Sequence, residues 1–221
     1  MAFQPEKVQA VLFDIDGTLS DTDDQMVART ARMLKPFFRS RERRQSAARW
    51  IVMEMESPGN FIYNMADRFD LDSFFIRTIQ RISQRKKHKV KSYWMIPGTK
   101  EMLAACEGRF PLGIVSARDA HTTNAFLHQF SLENQFQVVV TSQTCRYTKP
   151  FPDPLLFAAE QLSIDPENCL MVGDTTVDMK AAKLAGMQAV GVLCGFGREK
   201  ELLRAGADVI LPSTADLLSL F

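Results

Sequence analysis

Six short apolar runs constrain the fold of this chain more than any other feature. They are Val8–Phe13 (VQAVLF), Pro111–Val115 (PLGIV), Val138–Thr141 (VVVT), Cys169–Val172 (CLMV), Ala189–Leu193 (AVGVL) and Ala207–Leu211 (ADVIL). Runs this short and this apolar read as strands covered on both faces. Helical spacing fills most of the intervals: Gly98–Cys106, Ala120–Phe130, Asp153–Leu162, Thr176–Ala185 and Glu199–Ala205. Repeated strand–helix alternation predicts an α/β fold, a Rossmann-like and mostly parallel sheet with helices on both faces.

Residues 21–91 break that rhythm. They carry few β-branched runs and read as helices near 23–37, 41–56, 61–68 and 72–87, with breaks at Pro36, Ser57-Pro58-Gly59-Asn60 and Asp70-Leu71-Asp72. The expected organisation is a core of residues 1–20 and 92–221, with a small all-α cap domain, 21–91, inserted after the first strand. Such an insert leaves the sheet at the carboxyl edge, where ligands bind in open α/β sheets.

Composition enters mainly through charge. The 221 residues carry 27 basic and 26 acidic side chains, a net +1, which weighs against a general polyanion binder. The balance is uneven, since the 21–91 window holds 16 basic and 9 acidic residues. The remaining chain is therefore acidic. Cys106, Cys145, Cys169 and Cys194 form no CxxC pair and have no histidine at metal spacing, which argues against zinc and for free buried thiols. The N-terminal stretch lacks a secretory pattern and no run approaches the ~20 apolar residues of a membrane span. A cytoplasmic protein without membrane or nucleic-acid partners is expected, as monomer or homodimer.

Four segments at predicted strand ends carry chemistry. In Asp14-Ile15-Asp16-Gly17-Thr18, positions i and i+2 of extended chain face one way, and Gly17 permits a sharp departure. Two carboxylates so close repel, which is costly as structure but useful for a nucleophile with a neighbouring acid/base or metal ligand. Ser116 ends the second run; its hydroxyl and the following amides suit a phosphate oxygen, although taken alone a helix cap or turn serine is the better reading. Lys149 lies in a stretch with prolines at 150, 152 and 154. Asp174 and Asp178 follow the fourth run and offer hard oxygens suited to Mg²⁺, or simply complement a helix N-terminus.

Taken together and in this order, DxDGT, the strand-end serine, Lys-Pro and GDxxxD resemble the four motifs of the haloacid dehalogenase superfamily of phosphotransferases. The resemblance spans the chain and is nearest to the phosphoglycolate phosphatase-like group, which carries a helical cap. It implies a phosphatase acting on a small phosphorylated metabolite, such as phosphoglycolate or a sugar phosphate, through an aspartyl-phosphate. Asp14 is then the nucleophile and Asp16 the general acid and base. Ser116, Ala117, Lys149 and Thr18 bind the phosphoryl group, with Lys149 also offsetting charge on Asp14. Mg²⁺ is held by Asp14, Asp16 (through its carbonyl), Asp174 and Asp178. Asp16 sets the chain apart from the dehalogenases and phosphonoacetaldehyde hydrolases of the superfamily, while a phosphosugar mutase of the β-phosphoglucomutase type stays open.

One departure stands after Ser116, where Ala117-Arg118-Asp119 replaces the Asn-Lys of many relatives. Arg118 reads as a surface arginine at a helix start, or as a contact to an anionic substrate. The basic cap residues, among them Arg39, Arg41, Arg43, Arg44, Arg49, Arg85, Lys86, Lys87, Lys89 and Lys91, read as a solvated face, as a positive lid, or as the surface of a non-catalytic binding protein. Trp50, Phe61, Phe74, Phe75 and Trp94 read as cap packing. His88, His121 and His128 match no motif.

Overall fold

A computed structural model describes residues 3–21, 31–35, 40, 43–44, 47 and 92–221. The chain divides into two compact units, Met1–Asp23 with Ser92–Phe221, and Asp24–Lys91. In the second unit the described residues 31–33, 43–44 and 47 are helical. The remaining expectations for the insert fall outside the described residues: most of its helices, the 57–60 turn, Trp50, Phe61, Phe74, Phe75, His88 and most of its basic side chains.

The first unit is a six-stranded sheet. Its elements in order are β1 (Ala10–Phe13), α1 (Thr99–Cys106), β2 (Leu112–Val115), α2 (Ala120–Phe130), β3 (Val138–Val140), α3 (Asp153–Leu162), β4 (Cys169–Gly173), α4 (Thr176–Leu184), β5 (Gln188–Val192), α5 (Glu199–Ala205) and β6 (Val209–Leu211). The strands lie in the order β3-β2-β1-β4-β5-β6 and every pairing is parallel. Each strand and helix expected for this unit is present, with ends shifted by up to two residues. Val8 and Gln9 precede β1 rather than belonging to it.

Alternation along the strands explains why both faces are buried. Val11 and Phe13 of β1 join a core with Met102, Leu103 and Cys106 of α1, Phe126 and Leu127 of α2, and Leu217. Ala10 and Leu12 point the other way, into a core with Leu155 and Ala158 of α3, Met179, Ala181 and Ala182 of α4, and Leu202 of α5. A strand with both faces packed has no polar side to show, hence the unbroken apolar runs. Fully burying a side chain such as Phe13 contributes roughly 1.5–3 kcal/mol.

The strand order places the site. Going along the chain, strands are added on one side of β1 as far as β3, then on its other side from β4. The reversal falls between β1 and β4, where Phe13 pairs with Val172. Chain leaving the carboxyl ends of these two neighbours diverges and opens a crevice there.

All four cysteines are free; Cys106 and Cys169 are buried, while Cys145 and Cys194 are only partly so. Burial pushes the Cys169 thiol up to about 11, so it stays protonated and inert at neutral pH. His121 and His128 are exposed on α2. Trp94, expected to pack, is 53% exposed. Its contribution runs through the backbone, because its carbonyl accepts from the Ser20 hydroxyl at 3.1 Å and the Asp21 N–H at 2.8 Å. Among the described residues no helix is long and apolar enough to cross a membrane.

Candidate active site

Asp14 is the first residue beyond β1, and its N–H still bonds the Val172 carbonyl of β4 at 3.0 Å. That last rung holds the carboxylate against the crevice. The chain then turns at once: the N–H groups of Leu19 and Ser20 both bond the Ile15 carbonyl, at 2.9 and 2.8 Å. Gly17 makes the turn with φ +71°, and any Cβ there would run into the Asp174 carboxylate. Glycine is needed twice over at this position, for its conformation and for its lack of a side chain.

The second strand end supplies Asp174, directly after Gly173, and Asp178 in the first turn of α4. The helix starts with a reciprocal cap. Thr175 accepts from the Asp178 N–H, and Asp178 accepts from the Thr175 N–H at 3.0 Å and its hydroxyl at 2.6 Å. The capping reading of Asp178 is therefore realised, and it aims the other carboxylate oxygen at Lys149. Lys149 donates to Asp178 Oδ1 at 2.6 Å and pairs with Asp14 Oδ1 at 2.9 Å. All three side chains are no more than a tenth exposed.

Asp14, Asp174 and Asp178 each bring one carboxylate oxygen within 4.8 Å of the others. Three buried carboxylates facing one lysine leave an excess of negative charge that a divalent cation would neutralise. The donor set, all hard oxygens, fits such an ion. Burial, opposed by Lys149 and reinforced by Asp178 and Asp16, pushes Asp14 from 3.8 up to about 7. Burial alone would lower Lys149, but Asp14 and Asp178 together raise it, so it stays charged.

Asp174 is held by residues that the sequence reading did not single out. The Phe196 N–H donates to its Oδ2 at 2.9 Å, and a Cβ at Gly195 or Gly197 would collide with Asp174 itself. Gly195 and the Phe196 N–H thus pack on this carboxylate, and Gly197 on the Asp174 backbone carbonyl. The signal of this stretch was visible as two glycines just past a strand end. Thr18 is fully buried, and its hydroxyl faces Asp174 Oδ1 at 3.4 Å while its carbonyl accepts from Thr214 at 2.6 Å. It is placed to support Asp174, not to stand open toward a phosphate.

Ser116 ends β2 and is 5% exposed. Its N–H is spent on the Val140 carbonyl at 2.9 Å, and its hydroxyl accepts from the Arg118 N–H at 3.2 Å. Of the loop amides expected to meet a phosphate, that leaves Ala117, which is exposed between them.

Arg118 corrects the sequence reading. It is not a surface arginine: only a tenth of its side chain is exposed. It donates through Nε to Asp16 Oδ2 at 2.7 Å and through Nη2 to Asp16 Oδ1 at 2.5 Å, a two-pronged fork. The helix-start residue proper is Asp119, which accepts from the Thr122 N–H at 2.8 Å. Asp16 itself keeps 36% of its side chain exposed. The structure thus gathers Asp14, Lys149, Asp174, Asp178 and Thr18 into one cluster, while Asp16, two residues beyond Asp14, is held by Arg118. Ser116 is joined to Asp16 through Arg118, and Ala117 lies between Ser116 and Arg118 in the chain.

The site is an acidic, lysine-bridged centre at the reversal point of a parallel α/β sheet. Residues 11–192 match the haloacid dehalogenase-like hydrolase family, and the chain belongs to that family. It is 29% identical to pyrophosphatase PpaX of Anoxybacillus flavithermus, over 96% of both chains. It is also 29% identical to a phosphoglycolate phosphatase of Nitrosospira multiformis, covering 95% of this chain and 93% of that one. Among solved structures it resembles a hydrolase from Pseudomonas syringae, with a TM-score of 0.70, 26% identity and 96% of each chain covered.

Proposed function

We propose that the protein is a Mg²⁺-dependent phosphatase hydrolysing a small phosphorylated metabolite, of the phosphoglycolate or sugar phosphate type, through an aspartyl-phosphate on Asp14. The observation that carries this reading is the buried Asp14–Lys149–Asp178 bridge beside Asp174, with Asp16 two residues along the chain. The name of the phosphoglycolate phosphatase relative agrees with it, and that of the pyrophosphatase relative agrees with phosphoryl hydrolysis on a different substrate.

In the forward step Asp14 attacks phosphorus. Its oxygen forms a P–O bond as the bond to the leaving alcohol breaks, and the departing oxygen takes the proton of Asp16. In the second step Asp16, now a carboxylate, removes a proton from water as that water attacks phosphorus. The bond to Asp14 breaks and inorganic phosphate leaves. Lys149 holds Asp14 by Oδ1 and stays positive through both steps. Ser116 and the Ala117 N–H meet the phosphoryl oxygens. Asp14, Asp174, the Asp16 carbonyl and Asp178 would hold Mg²⁺, which supplies positive charge against the phosphoryl oxygens. Asp178, with both oxygens already engaged, works chiefly by seating Lys149. Residues 21–91 form the inserted cap domain.

The test is phosphate release from a panel of phosphorylated metabolites with Mg²⁺ present. The expected result is hydrolysis abolished by a chelator and by Asp14→Asn. Isomerisation of a sugar phosphate without phosphate release would assign a mutase instead, and polyanion binding that survives Asp14→Asn, with no turnover, would assign a binding protein.

A further inference from the structure

Arg118 has a geometry that no motif accounts for. Its guanidinium carbon lies 4.9 Å from the Tyr93 ring centroid and 5.5 Å from that of Phe126. These rings meet edge to face, 5.7 Å apart at 85°. Tyr93 is fixed in turn by its hydroxyl, which donates to the Thr122 carbonyl at 3.1 Å. The Arg118 backbone is tied at both ends: its N–H bonds Ser116, and its carbonyl accepts from the Ser142 N–H at 2.9 Å. A planar cation held against two aromatic faces, on a loop clamped at both ends, has little freedom to reorient. Through a fork it grips the carboxylate of Asp16.

We propose that Arg118 is a positioning residue that fixes the plane of the Asp16 carboxyl for proton transfer to the leaving oxygen. This rests on the phosphatase reading above. Asp16 lies just before Gly17 in the turn, is over a third exposed, and has both carboxylate oxygens in the Arg118 fork, which constrains its rotamer. The fork sets it, and because the fork uses both oxygens it fixes rotation about the last side-chain bond as well as distance. The same loop carries Ser116 and Ala117, so the phosphoryl-binding loop and the proton-transfer group move as one piece. A direct contact between Arg118 and substrate is the competing use, and it predicts different kinetics.

The experiment compares kcat/KM of Arg118→Met and of wild type on two substrates with Mg²⁺, glycerol phosphate and 4-nitrophenyl phosphate. The alkoxide needs a proton as it leaves; nitrophenolate does not. Positioning of Asp16 predicts that the variant loses on the order of 10–100-fold on the alkyl ester, a part of the 10²–10⁴ that general acid catalysis supplies, and far less on the aryl ester. The ratio of the two values within one sample is independent of how much protein is folded. Arg118→Lys, which keeps the charge but not the fork, supplies the same ratio if the methionine variant does not fold. Equal losses on both esters, or no loss, would overturn the proposal with the phosphatase reading intact. Wild-type protein inactive on both esters would overturn the phosphatase reading and this assignment with it.

Discussion

Two ion-pair systems flank the end of β1, and they are built differently. On one side Asp14 shares Lys149 with Asp178, all three shielded from solvent. On the other Asp16 meets Arg118 through a fork, with the carboxylate partly open to water. A point charge on a flexible stem suits the first place, because its task is to balance charge wherever charge develops. A rigid planar fork suits the second, because its task is orientation. Two acidic residues separated by a single isoleucine are thus given different work by the cations that face them.

The largest effect that separates the two systems is on turnover. Asp14→Asn removes the attacking oxygen's charge and is expected to cut the steady-state rate by at least about 10³-fold, while Asp16→Asn costs about 10²–10⁴ and spares an aryl ester in the first step. Pre-steady-state phosphate and phenolate release distinguishes them.

Next comes stability. Lys149→Met leaves Asp14 and Asp178 facing each other without their cation, and is expected to lower the unfolding free energy by about 3–5 kcal/mol in metal-free protein. Urea titration with and without Mg²⁺ checks this, and the deficit should shrink when Mg²⁺ is bound.

The pH dependence follows from Asp14. Its folded-state pKa of about 7 exceeds the ordinary 3.8, so the native state holds a proton that the unfolded chain has lost between these values. More protons bound in the native state means stability falls as pH rises through that window. Metal-free protein is therefore expected to lose stability from about pH 4 to about pH 7. Asp14→Asn should flatten this slope. For the same reason Mg²⁺ affinity should weaken as pH drops below about 7, where proton and cation compete for one carboxylate. Thermal unfolding across pH and metal concentration reads both effects.

Smaller effects calibrate the scale. Thr175→Ala removes the α4 cap and one hold on Asp178, and is expected to cost about 1 kcal/mol. Lys183→Ala breaks a pair with Asp208 on a lysine that is 36% exposed, on α4 with Asp178 but outside the acidic cluster, and should cost no more than ~1 kcal/mol without touching turnover. A Lys183 effect as large as that of Lys149 would erase the distinction between the catalytic and ordinary ion pairs.

Most of the fold was legible because burial on both faces of a parallel sheet writes itself as apolar runs, and the helices between them carry their own period. The candidate site was legible where one short segment holds the signal, as in Asp14 to Thr18 or Gly173 to Asp178. It was not legible where the partner is far along the chain. Arg118 and Asp16 are 102 positions apart, and a helix-start arginine looks the same whether it points to water or to a carboxylate. Phe196 acts through its N–H, which any residue type could supply, so its grip on Asp174 left only the flanking glycines as a trace. Of the amides following Ser116, that of Arg118 looked available until its bond to the Ser116 hydroxyl was known.

The central claim is that Asp14 carries the phosphoryl group. An acid-quenched single turnover, digested and analysed by mass spectrometry, tests it directly. The account predicts a phosphoryl group on the peptide containing Asp14 when Mg²⁺ is present, and none with chelator or in Asp14→Asn. An unmodified Asp14 peptide, together with undiminished phosphate release by Asp14→Asn, would contradict it.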